Sequence, residues 1–526
     1  MIYTIVFRNT VAVMPIMKTC VVHQAFTNID VTIDRLCLDG KFYGEEKAAM
    51  STGTVYPVRD GENTRHRLWL RAIKMVNAVL ITIPFALCWY LYYAQRLYHP
   101  FFARGDRLVV ALFLILYILF GRIYGGFTIS LNRISEIVYS QSLAILFTNG
   151  ILYIVTWLLT RRFPNILPML LAMVVEILLS ALWAFAAHTA YFKSQDPIRT
   201  VIIWDMRKGL KDLIESYGLD KRFNVVATPN VWEVFKHPDK YLDDTEAVFL
   251  CGIHSHERNQ IIKSCIQRGI RAYIIPRVGD VLMESATPLH LFHLPILMLE
   301  RYNPTPEYLF LKRTFDIVSS GVALIVLSPL MIIVALLIRK DGGTAFYRQK
   351  RLTKNGKEFY VLKFRSMRMD AEKDGVARLS TGDKDPRITP IGHVIRACRI
   401  DELPQLINIF KGEMSVVGPR PERPEIAAEY EKEFPEFSLR LQAKAGLTGY
   451  AQVYGKYNTT PRDKLLMDLQ YIANPRMAED LKIIFATVKI LFMPESTEGV
   501  AAGQTTAMDY ENAADSTEND AETVAK

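Results

Sequence analysis

Lys312–Lys340 reads KRTFDIVSSGVALIVLSPLMIIVALLIRK. Between the basic pairs Lys312-Arg313 and Arg339-Lys340 lies the apolar run Ile317–Ile338, with Ser328-Pro329 near its middle. As a straight helix the run would be about 33 Å long, enough to cross a hydrocarbon layer of ~30 Å. Proline inside a helix removes a backbone hydrogen bond and bends the axis. Cationic ends and a central break predict a hairpin-like segment that enters and leaves a bilayer by one face. A kinked spanning helix is the alternative. Re-entry is the expectation, because it leaves the sequence before and after the segment on one side.

Downstream, Asp385–Pro421 reads DPRITPIGHVIRACRIDELPQLINIFKGEMSVVGPRP. Two adjacent carboxylates, Asp401 and Glu402, follow Arg396, and Gly418-Pro419-Arg420-Pro421 forms a stiff turn presenting a guanidinium. Paired acids beside fixed positive charge suit chemistry on a phosphate, where one carboxylate attacks and arginines neutralise the developing charge. By themselves, Asp-Glu pairs are more often surface charge, and such turns more often structural. Before this stretch, Gln349-Lys350-Arg351, Lys363-Phe364-Arg365 and Arg368 concentrate cations, and Tyr360, Phe364 and Met367 interleave with them. After it, Pro424–Phe437 reads as an amphipathic helix and Leu439-Arg440-Leu441 as a return to apolar packing. Gly446–Gly455 reads as a glycine-punctuated loop-strand unit able to approach a ligand closely. Arg462–Ile472 and Asp480–Phe492 read as helices, and the acidic tail 495–526 as disordered.

Upstream, four apolar blocks approach or exceed the ~20 residues of a membrane span: Ile73–Tyr93, Leu108–Tyr124, Ile137–Leu159 and Ile166–Tyr191. Arginines occur in every link between them, so the positive-inside rule leaves orientation ambiguous. Glu176 lies inside the fourth block with no visible partner; an intramembrane acid is either functional or a buried structural group. Thr200–Trp204, Asn224–Ala227, Ala247–Cys251 and Arg271–Ile275 read as strands alternating with helices at Gly209–Tyr217 and Glu257–Arg268, the pattern of a small α/β domain. Its first turn, Trp204–Gly209, holds one glycine where a dinucleotide fingerprint needs several, which favours a regulatory or packing role. Residues 1–64 read as a leader without a secretory pattern, or as an over-extended start with Met50 as initiator.

The 526-residue chain has 50% hydrophobic residues and a formal net charge of +9. That charge fits anionic lipid or phosphorylated ligands, and no nucleic-acid-binding module is visible. The six cysteines lack paired spacing, which argues for a reducing compartment. Cys251-x-x-His254-x-His256 supplies too few ligands to read as a metal site.

In chain order, the sequence carries Lys312-Arg313-x-x-Asp316, Ser328-Pro329, Lys363-Phe-Arg-Ser-Met367 and Asp385-Pro-Arg387-Ile-Thr389. Then come Asp401-Glu-Leu-Pro-Gln405, Asn408, Gly412-Glu-Met-Ser415, Val417-Gly-Pro-Arg-Pro421 and Gly446-x-x-Gly449-x-x-Gln452. With these motifs the sequence closely resembles the bacterial sugar transferase family, the monotopic phosphoglycosyl transferases, and in particular its large exopolysaccharide and O-antigen members. The resemblance covers about Leu311–Phe492. It implies a membrane protein of α+β class: four N-terminal transmembrane helices (65–195), a degenerate Rossmann-like α/β domain (196–280) and a linker (281–310). A mostly helical catalytic domain (311–494) follows, anchored by a re-entrant helix (314–338).

The resemblance further implies that Asp401 attacks the β-phosphate of a UDP-sugar, expelling UMP, and that undecaprenyl phosphate takes the sugar phosphate from the aspartyl intermediate. Glu402 corresponds to a magnesium-linked carboxylate, Arg396 and Arg420 to phosphate-handling positions, and Pro419 to the turn that carries Arg420. Lys363, Arg365, Arg387 and Gln452 fall on substrate-binding positions, although Arg351, Lys363, Arg365 and Arg387 suit domain packing equally. Ser328 and Pro329 fall on the break of the re-entrant helix, and Arg313 and Asp316 on its membrane-surface start. Expected partners are membrane lipid, a second copy of the chain and polysaccharide-assembly proteins, at the cytosolic face of the inner membrane. Glucose and galactose are the expected sugars, and no residue separates them. One departure stands out: Arg399 occupies a position where the family usually has serine or threonine. A membrane-bound nucleotide-sugar dehydratase would need a glycine-rich cofactor loop and a Tyr-x-x-x-Lys pair, absent between Lys340 and Phe492. An inert scaffold would not need the intact Asp401, Glu402 and Arg420.

Overall fold

The structure, a computed structural model, describes residues 60–102, 104–194, 196–302, 304–340, 343–369, 387–455 and 459–491. Most of the expected leader and all of the expected acidic tail lie outside them, as do Asp385 and Pro386. Two units are present. Among the described residues one comprises Arg199–Lys208 and Val225–Tyr273, and the other the remainder.

The larger unit begins with four helices: α1 (Asp60–Cys88), extended by a π turn over Trp89–Tyr93, α2 (Gly105–Ile123), α3 (Ile134–Thr160) and α4 (Leu167–Ser194). Phe85 of α1 stacks on Phe113 of α2 at 4.4 Å between ring centroids, and Trp89 Nε1 donates to Asp106 Oδ1 at 2.8 Å. Glu176 is fully buried, and its partner is Asn149 of α3, whose Nδ2 donates to Oε2 at 2.7 Å. In an apolar interior such a group requires a partner from a neighbouring helix. Among the described residues four helices are long and apolar enough to cross a membrane: Leu68–Arg96, Ile134–Thr160, Leu167–Ser194 and Pro306–Arg339. The second apolar block forms α2, which has 19 residues and carries Asp106 and Arg122 in its end turns.

The smaller unit is built on a sheet of β1 (Ile198–Trp204), β2 (Phe223–Ala227), β3 (Ala247–Cys251) and β4 (Arg271–Ile274). Its order is β2-β1-β3-β4, with β1 and β3 parallel. Helix α5 (Leu210–Ser216) lies between β1 and β2 in sequence, α6 (Val231–Lys236) and α7 (Pro238–Leu242) between β2 and β3, and α8 (Ser255–Gln267) between β3 and β4. Val201, Ile203, Val248 and Leu250 pack with Val231, Leu242 and Ile261, so near-continuous apolar strands cover themselves with helices. The stretch expected to be a connector holds the end of α9 (Val278–Glu284) and an exposed hairpin, β5 (Thr287–Leu291) with β6 (Leu294–Met298).

Then comes α10 (Pro306–Arg339), one helix of 34 residues. The expected hairpin-like break at Ser328-Pro329 is therefore not a turn. Pro329 cannot donate to the carbonyl four residues back, and the Ser328 hydroxyl donates to that carbonyl, Ile325 O, at 2.8 Å. The serine supplies the hydrogen bond that the proline omits, and the helix continues.

The basic stretch after α10, which has no clear period in sequence, is an antiparallel hairpin of β7 (Phe346–Leu352) and β8 (Glu358–Phe364). Next are α11 (Pro390–Ala397), a 3-10 turn (Ile400–Glu402), α12 (Gln405–Lys411), β9 (Ser415–Val417) and α13 (Pro424–Glu433). A 3-10 stretch (Pro435–Gln442), β10 (Gly446–Thr448), α14 (Tyr450–Tyr454), α15 (Pro461–Ala473) and α16 (Met477–Leu491) complete the fold. Strands β9 and β10 pair in parallel.

Helix α10 lies along this assembly at both of its ends. Arg313 donates from Nη1 to Ile409 O and from Nη2 to Phe410 O, both at 2.8 Å, capping the carbonyl end of α12 with a cation. Asp316 Oδ1 accepts from Ser415 Oγ at 3.1 Å and Val416 N at 3.0 Å. Near the other end, Val334 and Ile338 pack with Phe364 and Ile395. Arg313 and Asp316, expected at the start of a membrane helix, thus tie that start to α12 and β9.

Candidate active site

Asp401 and Glu402 sit on the 3-10 turn between α11 and α12. Thr389 caps α11, its hydroxyl accepting from Gly392 N at 3.0 Å, and Pro390 opens the helix, a strong start signal. The helix ends at Cys398, and Arg399 takes a left-handed conformation, φ 55° and ψ 18°. That reversal turns the chain so that Glu402 meets Lys363 of β8, whose charge also acts on Asp401.

Strand β8 delivers the cation. Phe359 and Val361 are buried against Leu406 and Ile409 of α12, and by strand alternation Lys363 continues the same face. Lys363 Nζ reaches Glu402 Oε1 at 2.9 Å. Asn408, almost fully buried, fixes the register: its Nδ2 donates to Tyr360 O at 2.8 Å and its Oδ1 accepts from Leu362 N at 3.0 Å. The amide side chain imitates a neighbouring strand and holds β8 against α12.

On the other side stands the Gly418–Pro421 turn. Arg420 Nη2 lies 3.6 Å from Glu402 Oε1, with its side chain 42% exposed. A Cβ on Gly446 would collide with the backbone of Gly418, and one on Gly418 with the carbonyl of Lys444. The Gly446 segment therefore makes a close approach to the turn's own backbone.

The two carboxyls differ electrostatically. Burial pushes Asp401 above the usual carboxylate range, the Glu402 charge adds to this, and Lys363, Arg396 and Arg399 only partly offset it. Burial would raise Glu402 too, but Lys363 (by charge and by hydrogen bond), Arg420 and Arg399 outweigh it and hold Glu402 well below the usual range. The pair is thereby pushed apart: Glu402 is held as the anion, and Asp401 is the more basic of the two.

Of the predicted site residues, the structure brings together Asp401, Glu402, Lys363 and Arg420, with the charge of Arg396 acting on Asp401. Pro419 is buried beneath the turn. Arg365 is buried and donates to Ile338 O at 3.1 Å, so its guanidinium serves the last turn of α10. Arg387 lies in the strand-like contact of Met367 with Ile388, its carbonyl accepting from Arg368 N. Gln452 turns into its own loop and donates to Leu447 O at 3.0 Å. Arg351 donates to Pro421 O at 3.0 Å and lies 3.7 Å from Glu422, a packing role. Sequence reasoning missed Arg440 and Asp468, which stand behind the turn; a lone arginine in an apolar run was the available signal.

No group of three or more His, Cys, Asp or Glu side chains converges among the described residues. A magnesium ion needs only one or two protein carboxylates when substrate phosphates and water complete its octahedron, and the Asp401-Glu402 pair fits that donor set.

Residues 307–494 match the family described as "Bacterial sugar transferase". A UDP-N-acetylgalactosamine-undecaprenyl-phosphate N-acetylgalactosaminephosphotransferase of Aeromonas hydrophila is 34% identical over 239 residues, 45% of this chain and 55% of that protein. The exopolysaccharide production protein PSS of Rhizobium leguminosarum bv. phaseoli is 45% identical over 190 residues, 34% of this chain and 94% of its own. A UDP-glucose:undecaprenyl-phosphate glucose-1-phosphate transferase of Caulobacter vibrioides is 37% identical over 191 residues, 35% of this chain and 71% of its own. The chain thus spans about half the length of relatives such as the Aeromonas protein.

Proposed function

The chain belongs to the bacterial sugar transferase family, and from that premise we propose that it is a transferase moving a hexose-1-phosphate from a UDP-sugar to undecaprenyl phosphate. The observation that carries this reading is the adjacent Asp401 and Glu402 on one 3-10 turn, with Lys363 at 2.9 Å and Arg420 at 3.6 Å from Glu402. An Asp401 oxygen attacks the β-phosphorus, the bond between that phosphorus and the bridging oxygen breaks, and UMP leaves with the electron pair. A phosphate oxygen of the lipid carrier then attacks the phosphosugar-aspartate and returns Asp401 as a carboxylate. Arg420 and Lys363 lie where they can hold the non-bridging oxygens, and a guanidinium can do so bidentately. Magnesium, held by Glu402 with Asp401 beside it, would neutralise charge on the diphosphate oxygens when bound.

The same reading makes α10 a re-entrant element that bends at Pro329 within one continuous helix. Its support is that both ends of the helix are tied to one domain, through Arg313 and Asp316 at one end and Arg365 at the other. The catalytic segment then lies on the cytosolic face of the inner membrane, where the carrier's headgroup meets Asp401. The β2-β1-β3-β4 unit is taken as a Rossmann-like regulatory or packing domain, and the product as the first lipid-linked intermediate of a polysaccharide. Glucose and galactose remain the expected sugars; the relatives' names differ in the sugar, and a panel of UDP-sugars distinguishes them. Asp401→Asn and Asp401→Ala are expected to lower UMP release from membranes by 10³-fold or more, on the order of losing a covalent nucleophile. Near-normal turnover by a folded Asp401→Ala protein would refute the assignment.

A further inference from the structure

Arg440 is 5% exposed. Taking a guanidinium out of water is costly unless its charge is balanced and its donors are used. Here Nη2 lies 2.6 Å from Asp468 Oδ2, itself 1% exposed. The same nitrogen donates to the carbonyl of Arg420 at 2.8 Å. Nη1 lies 3.6 Å from Glu422, and the guanidinium rests over the Phe437 ring at 4.9 Å.

The neighbouring carbonyls show what this contact belongs to. Pro419 and Pro421 donate no N–H, so the turn cannot hold itself by its own ladder. Each of four successive carbonyls instead accepts from outside: Pro419 O from Gly446 N at 2.9 Å, Arg420 O from Arg440, Pro421 O from Arg351, and Glu422 O from Leu352 N at 3.0 Å. Glu422 lies between the two guanidiniums, 3.7 Å from Arg351 and 3.6 Å from Arg440. The backbone of Arg420 is gripped from behind while its side chain faces Glu402 at 3.6 Å.

We propose that Arg440, with Asp468 as its counter-ion, is a positioning residue that fixes Arg420 for phosphate binding and is not merely part of the domain core. The inference uses the transferase reading only for its kinetic consequence. A guanidinium that binds a transferring phosphate works only if it is held in place, and a displacement of about 1 Å can cost on the order of 100-fold. Arg440 therefore acts through Arg420, and the two must be non-additive.

The test is a double-mutant cycle on the full-length protein in detergent, with UMP release as the kinetic readout. Arg440→Met is expected to lower kcat about 10- to 100-fold, with a smaller change in KM for the UDP-sugar. In an Arg420→Met background it should cost less than about threefold. If Arg440→Met fails to fold, Arg440→Lys keeps the charge opposite Asp468 without the fork and should show the same coupling. Hydrogen exchange supplies a readout independent of turnover. The amides of Gly446 and Leu352, which donate to the Pro419 and Glu422 carbonyls of the turn, should exchange faster in the variant by about tenfold or more, while the β1 and β3 amides keep their protection. Equal kinetic costs in both backgrounds, or unchanged exchange at the turn, would overturn the proposal. A parent protein that releases no UMP from any UDP-sugar would refute the transferase reading, and the exchange arm would still decide the grip on the turn.

Discussion

Arg399 places a bulky side chain in a backbone conformation that costs a non-glycine residue about 1–2 kcal/mol, two positions before the proposed nucleophile. Its charge favours the ionised forms of both Asp401 and Glu402. The sign of the pH dependence follows. Asp401 must lose its proton to attack, and burial raises the pH at which it does so. The acidic limb of kcat/KM, which reports the free enzyme, should thus lie above the ordinary carboxylate range. Arg399→Gly removes an opposing charge and moves that limb to still higher pH, while relief of the strained backbone raises thermal stability by about 1 kcal/mol. A pH–rate profile with unchanged limb positions would discard this role for Arg399. The sequence made Asp401, Glu402 and Arg420 legible because their types and order are chemically specific. Arg440 was not legible, because its meaning depends on Asp468 and on a backbone carbonyl that only the folded chain brings to it.

Helix α10 shows how far local rules carry an element. Ser328-Pro329 correctly marked the middle of an apolar run, but proline alone predicts a break. The structure answers with the serine hydroxyl on Ile325 O, a repair that belongs to a pair of residues and not to either one. The β7–β8 hairpin stayed hidden for a different reason: Arg348, Lys350 and Lys363 put charge where a simple polar-apolar alternation would be read. The alternating strands of the smaller unit were legible because their runs are nearly all apolar and short. If α10 re-enters, cysteines placed at the exposed Glu307 and Lys340 should both react with a membrane-impermeant thiol reagent applied from the cytosolic side. Labelling from opposite sides would make α10 a spanning helix.

In the molecule as a whole, α16 joins the membrane-helix bundle to the proposed catalytic segment. Phe485 packs edge-on against Phe120 and Phe147, with centroids at 5.1 and 5.7 Å. Tyr139 OH donates to Lys489 O at 3.0 Å, and Lys489 Nζ donates to Tyr124 O at 3.3 Å. At its other end α16 offers Asp480, which accepts from Lys312 at 2.8 Å and from Tyr471 at 2.8 Å. Phe485→Ala should lower stability by about 2 kcal/mol, measured by thermal unfolding in detergent; an unchanged midpoint would mean the aromatic contact contributes nothing. No sequence period announces this junction, where Tyr139 and Lys489, for example, are separated by 350 residues. That separation also orders events in time. The helices carrying Phe120 and Phe147 leave the ribosome long before α16, and at a synthesis rate of about 5–20 residues per second the gap is roughly 20–70 s. For that interval the nascent protein carries an unfilled aromatic cleft between α2 and α3, and α16, made long after them, is the helix that closes it.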